Sequence, residues 1–143
     1  MMRVLIADDD STSRLLLKAV LTKWGYEVFE AADGLEAWEI VSIDDPPGLL
    51  ILDWMMPGFT GVELCQKISS QLKREKFYIL LLTARGETQD LIAGLEAGAD
   101  DYVAKPWNKE ELQVRLKVGQ RMLKLLEQAA KKQKLQGILE MAG

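Results

Sequence analysis

The chain has 143 residues, 48% of them hydrophobic and 28% charged, with a net charge of −4 at pH 7: one domain's worth of ordinary globular sequence, long enough to bury a core. No apolar run approaches the length of a membrane span, and Met1-Met2-Arg3 leads into a strand-like run without a signal-peptide h-region, so a cytoplasmic location is the expectation. Histidine is absent, which removes the commonest general base and transition-metal ligand and leaves only hard, oxygen-bound metals in view.

The first strand, Arg3 to Ala7, ends in Asp8-Asp9-Asp10, and a helix follows from Leu15 to Trp24. Asp10, Ser11 or Thr12 can cap that helix, which accounts for one acid and leaves the others to solvent or to a site. Gly25 marks the helix end, Glu27 to Ala31 is a second strand, and Asp33-Gly34 opens a helix over Leu35 to Val41. Asp45-Pro46-Pro47-Gly48 separates this helix from a third strand, Leu49 to Leu52, which runs into Asp53. In the next helix, Gly61 to Leu72, Cys65 shares helical spacing with Leu64, Ile68 and Leu72 and reads as a small buried hydrophobe. The fourth strand, Phe77 to Leu82, ends in Thr83-Ala84; a helix over Leu91 to Ala97 closes at Gly98. The fifth, Tyr102 to Ala104, ends in Lys105-Pro106, and a long helix starts near Asn108.

Leu49-Leu50-Ile51-Leu52 and Ile79-Leu80-Leu81-Leu82 lack polar alternation, so both their faces are covered. Five strand-helix units of this kind imply an α/β fold with a parallel sheet, helices on both sides and right-handed crossovers. The functional crevice of such sheets lies beyond the carboxyl ends of the strands. Asp8, Asp9, Asp10, Asp53, Thr83 and Lys105 all stand there. Each has a plain reading alone: a helix cap, a strand-end hydroxyl bonded to backbone, a loop lysine. Their convergence on one edge with compatible chemistry favours a shared site. Crowded carboxylates must protonate or bind a cation, and Mg²⁺ suits one or two of them while keeping waters that a phosphate can displace.

IADDDSTSR, LILDWMMPGFTGVEL, LLTARG and GADDYVAKPW, in this order and spacing, resemble the receiver domain of two-component response regulators over about residues 1–120. The resemblance implies the flavodoxin-like doubly wound sheet of order 2-1-3-4-5, the order the general rule for such folds illustrates with a chemotaxis receiver. It makes Asp53 the phosphoacceptor for a partner histidine kinase or phosphotransfer protein, and Asp9 a direct ligand of Mg²⁺, with Asp8 sharing the ion or holding one of its waters. The backbone carbonyl of Met55 completes the metal ligands, Thr83 and Lys105 bind phosphoryl oxygens, and Tyr102 changes rotamer with Thr83. It also implies a cis peptide at Lys105-Pro106. The metal and the ammonium are expected to lower the pKa of Asp53 and keep it ionised. Such a chain is not an enzyme on other molecules; it catalyses only its own phosphoryl transfer and a slow self-dephosphorylation. Met55 and Arg85 flank the phosphate in the family, and the apolar Met55 side chain cannot orient a water. Asp10 and Asp101 depart from the commonest pattern and add negative charge near the site and the fifth strand.

The last helix continues as an extension over residues 121–143, beyond the receiver at 1–120. Residues 1–107 carry 18 acids against 10 bases, whereas 108–143 carry 4 against 8: an acidic body with a basic tail. Leu112, Leu116, Gly119, Leu123, Leu126 and Ala130 follow a 4-3-4-3-4 spacing, a coiled-coil seam whose first two turns pack on the sheet. Lys131-Lys132-Gln133-Lys134 interrupts it, and Leu135, Ile138 and Leu139 resume in another phase. A parallel homodimer through helix four, strand five, helix five and the C-terminal helical extension, or a connector to an output domain, follows. Basic residues without interleaved aromatics give no sign of direct nucleic-acid contact. Two other readings are a haloacid-dehalogenase-like phosphatase using Asp8 and Asp10, and a dimerisation module that takes no phosphate.

Overall fold

The computed structural model describes residues 2–84 and 88–142, the segment 88–90 by its backbone alone. Strands β1 (Arg3–Ala7), β2 (Glu27–Ala31), β3 (Leu49–Asp53), β4 (Tyr78–Thr83) and β5 (Asp101–Ala104) form one parallel sheet in the order β2-β1-β3-β4-β5. Helices α1 (Ser11–Lys23), α2 (Gly34–Val41), α3 (Gly61–Gln71) and α4 (Thr88–Glu96) connect them, and α5 (Lys109–Ala142) follows the last strand. The alternating units predicted the parallel sheet with helices on both sides, and the order is the doubly wound one that the resemblance implied.

Period-two alternation sorts the strand residues between two cores. Leu5, Leu50, Leu52, Ile79 and Leu81 join α2 and α3 through Ala37, Val41, Leu64, Cys65 and Ile68. Val4, Ile6, Leu49, Ile51, Leu80 and Val103 join α1 and α5 through Leu17, Leu21, Leu112 and Leu116. Every position of β3 and β4 is buried, as two-sided cover requires. Full burial of one such Leu or Ile stabilises by ~1.5–3 kcal/mol. Cys65 lies within the first core, where burial pushes its thiol up to about 12.

Element boundaries differ from the periodic pattern where a polar group decides them. α1 begins at Ser11, four residues before the first apolar position, because the Asp10 carboxylate accepts the Thr12 N–H at 3.1 Å and the Ser13 hydroxyl at 2.8 Å. Asp10 is thereby the cap, and its charge is spent on the helix; those two bonds hold its pKa below the ordinary carboxylate value. A single 3-10 turn at Arg74–Lys76, which has no periodic signal, precedes β4. Arg74 there binds the carbonyls of Phe77 and Gly98 and the Asp100 carboxylate at 2.7 Å, pinning the turn to the connection between α4 and β5.

α5 lies on the sheet for longer than two turns. Leu112 and Leu116 are buried, Gly119 sits so close to the Tyr78 ring that a Cβ would overlap it, and Leu123 packs half-buried against the same core. The Leu112-Leu116-Gly119-Leu123 half of the expected seam is therefore used within the chain and is closed to a partner. Beyond it the helix stands free, with Leu125 63% and Leu139 63% exposed.

Candidate functional site

Asp8, Asp53 and Lys105 each stand two residues past Ile6, Ile51 and Val103, which share the α1–α5 core. The strand period therefore brings all three to one side of the carboxyl edge. Ordered backbone continues one step past each strand: the Asp8 N–H donates to the Ala31 carbonyl (3.1 Å), Trp54 to Leu82 (2.9 Å) and Lys105 to Thr83 (2.8 Å).

The Lys105 ammonium lies 3.1 Å from Asp53 Oδ1 and 3.4 Å from Asp8 Oδ2. One carboxylate oxygen from each of Asp8, Asp9 and Asp53 falls within 4.8 Å of the others. Asp8 and Asp53 are buried and Asp9 is exposed, so the cluster has a dry floor and one wet wall. Asp8 is held on every side. Its Oδ1 accepts the Asp10 N–H at 2.9 Å, and its carbonyl accepts from Arg14 Nη1 at 2.7 Å.

Burial raises the pKa of Asp53 above its ordinary value of 3.8. The hydrogen bond and charge of Lys105 oppose that rise without overcoming it, and Asp8 and Asp9 add to it. Lys105 thus acts in the expected direction but does not by itself outweigh desolvation; the expectation that metal and ammonium together keep Asp53 ionised concerns the site with its cation bound. For Lys105 burial works downward, but the hydrogen bond to Asp53 and the charges of Asp53 and Asp8 reverse it, so its net shift is upward. The two partners shift in the same direction because the lysine gains from two carboxylates while Asp53 has one ammonium and two like charges.

Thr83 is buried at the end of β4, one residue past Leu82, which pairs with Asp53. Tyr102 is half-buried against the α2–α3 core, opposite Leu81 in register. Met55 is 59% exposed, and Lys105-Pro106 is cis; Arg85 lies outside the described residues. Asp101 does not add free negative charge to β5: its carboxylate meets Arg115 at 2.5 Å.

Two residues near the site escaped the sequence reading. Arg14, which bonds the Asp8 carbonyl and stands 3.8 Å from Glu30, was betrayed only by being a cation in the first turn of a helix, where the dipole disfavours it. Trp54, next to Asp53, is half-buried in the first core and lies against α4 at Gly94, where a Cβ would approach the indole to 3.1 Å and Leu81 to 3.0 Å. A glycine inside a helix, which costs ~1 kcal/mol against alanine, was the available signal.

Three carboxylates, two of them buried, and an ammonium within bonding reach suit the binding of a divalent cation and a phosphoryl group. Residues 4–117 match the family described as the response regulator receiver domain. The chain is 40% identical over 114 residues to the phosphate regulon transcriptional regulatory protein PhoB of Pseudomonas aeruginosa, covering 80% of this chain and 49% of PhoB. It is 36% identical over 116 residues to a chemotaxis protein CheY homolog of Campylobacter jejuni, covering 80% and 89% of the two chains. Among solved structures, it superposes on a putative response regulator from Chloroflexus aurantiacus with a TM-score of 0.77 at 41% identity, covering 85% and 97%. It superposes on a probable two-component response regulator/GGDEF domain protein with a TM-score of 0.80 at 27% identity, covering 87% and 51%. The chain spans about half the length of the PhoB proteins it matches.

Proposed function

Because the chain belongs to the response regulator receiver domain family, we propose that it is the phosphoryl-accepting switch of a two-component phosphorelay, with Asp53 as phosphoacceptor. The observation that carries this reading is the buried Asp53 carboxylate at a strand end, 3.1 Å from Lys105 and clustered with Asp8 and Asp9. Its oxygen attacks the phosphorus of a phosphohistidine on a kinase or phosphotransfer partner. The P–N bond breaks, the P–O bond of an acyl phosphate forms, and the imidazole leaves with its electron pair.

The residues fit Mg²⁺, since carboxylate oxygens at mutual distances within 4.8 Å are hard donors. Asp9 and Asp53 would hold it, with Asp8 and the backbone carbonyl of Met55. The ion, when bound, supplies positive charge against the phosphoryl oxygens. Lys105 supplies the rest and holds the phosphoryl group, and Thr83 binds a further oxygen as the transferred charge arrives. Tyr102 then turns inward beside Thr83, which alters the α4–β5–α5 face and biases a two-state element. That face exposes Ile92, Leu95 and Val114, which supports its use in homodimerisation. The receiver unit occupies about residues 1–120, and 121–143 form a helical extension toward an output. The reading places the protein in the cytoplasm; among the described residues no helix is long and apolar enough to cross a membrane.

The phosphatase reading finds less support. Asp8 is 1% exposed with its oxygens engaged by the Asp10 N–H and Lys105, and the Asp10 carboxylate is bonded to Thr12 and Ser13. Intact mass after incubation with Mg²⁺ and acetyl phosphate tests the proposal. A Mg²⁺-dependent phosphoryl adduct that Asp53→Asn abolishes is the expected result, and no adduct at saturation refutes it.

A further inference from the structure

The backbone of Asp8 is tied to β2 at both its polar groups. Its N–H donates to the Ala31 carbonyl at 3.1 Å, and its own carbonyl would take the next N–H of a continuing ladder. β2 has ended at Ala31, and Arg14 Nη1 donates to that carbonyl instead, at 2.7 Å. The guanidinium is steadied from the same strand. Its Nε stands 3.8 Å from Glu30 Oε1, and Lys18 Nζ lies 3.0 Å from the other oxygen of that carboxylate. On general grounds this is a poor place for a cation: the first turn of α1 presents the positive end of its dipole, and a divalent ion among Asp8, Asp9 and Asp53 would be repelled by a guanidinium so near. What the side chain gains there is the Asp8 carbonyl.

We propose that Arg14 is a positioning residue for the cation: by holding the Asp8 carbonyl it fixes the peptide that joins Asp8 to Asp9, and so aims both carboxylates at one point with Asp53. This rests on the receiver reading above and adds to it a residue outside the ligand set. The Asp8 side chain is buried and already gripped by the Asp10 N–H and Lys105, whereas Asp9 is exposed. An exposed carboxylate takes its direction from the backbone that carries it, and that backbone is the peptide Arg14 holds. Partners of this outer kind orient the ligands of metal sites, and their loss costs roughly 10–100-fold in affinity. Charge acts with the opposite sign. Were Arg14 no more than a neighbouring cation, its removal would tighten Mg²⁺ binding; as a positioning residue, its removal weakens it.

Calorimetric titration of Mg²⁺ into the full chain, Arg14→Met, Arg14→Gln and Arg14→Lys tests this, with chemical denaturation of each in chelator as the check on folding. The Mg²⁺ needed for half-maximal adduct is read alongside by intact mass, with acetyl phosphate as donor so that contacts of α1 with a partner protein do not enter. Arg14→Met is expected to bind Mg²⁺ about tenfold more weakly and to need correspondingly more of it for the adduct. Arg14→Lys keeps the charge and a donor, and should fall between Arg14→Met and the parent. Unchanged or tighter Mg²⁺ binding by folded Arg14→Met overturns the inference whatever its midpoint in chelator, since a merely structural arginine moves the midpoint alone. If Arg14→Met does not fold, Arg14→Gln decides by the same sign. A parent that forms a Mg²⁺-dependent adduct keeps the receiver reading in every one of these cases; a parent that binds no Mg²⁺ and forms no adduct overturns both.

Discussion

Asp53 carries an energetic cost that the phosphoacceptor role proposed for it explains. Burial raises its pKa from 3.8, so the folded chain holds this proton to higher pH than the unfolded chain does. The stabilisation from protonated Asp53 is present at pH below 3.8 and disappears as pH rises through the window above it; at pH 7 the ionised group destabilises the fold. Asp53→Asn should therefore raise the unfolding midpoint at pH 7 in chelator, and added Mg²⁺ should stabilise the parent more than the variant. Equal or lower stability of Asp53→Asn in chelator would contradict this. Lys105 behaves oppositely: its raised pKa gives stability that is full below 10.5 and is lost only above it. Two residues past the proposed phosphoacceptor, Met55 offers a thioether to solvent and no strong acceptor for a water. Met55→Asn should hydrolyse the phosphoryl group several-fold faster, measured as loss of the adduct in intact mass. The acids, Thr83 and Lys105 were legible in the sequence because each ends an apolar run, and strand ends of a parallel sheet share one edge. Arg14 was not, since its partner is the backbone carbonyl of Asp8, and a carbonyl leaves no mark in the sequence.

At the level of elements, α5 shows how one helix serves two environments. Gly119 lets it approach the Tyr78 ring, whereas Gly137 has nothing within 4 Å. The same substitution should then have opposite signs. Gly119→Ala forces the ring aside and should cost ~1–3 kcal/mol in chemical denaturation, outweighing its gain in helix propensity. Gly137→Ala should increase helical ellipticity and stabilise the free segment by up to ~1 kcal/mol. Strands β1 and β2 were readable to the residue. The start of α1 and the phase of the seam were not, for different reasons: the Asp10 carboxylate decided the first, and two apolar stripes on α5, one for the sheet and one for solvent, left the second ambiguous until packing separated them.

For the molecule as a whole, the two cores close without the free half of α5, whose last half-buried apolar contact with them is Leu123. Ending the chain after residue 125 should leave the unfolding free energy of the remainder within ~0.5 kcal/mol under conditions where it is monomeric, while abolishing association through the tail. A larger loss would mean that the tail supports the fold directly. A different part of the architecture ties α4 to the sheet edge beside Asp53. Gly94 presents α4 to the flat indole of Trp54, the residue after Asp53. With no side chain protruding at that point, the ring plane and the helix meet flat, and a Cβ would stand only 3.1 Å from the indole and 3.0 Å from Leu81. Gly94→Ala should therefore wedge the helix off the ring, read as a lower midpoint in chemical denaturation.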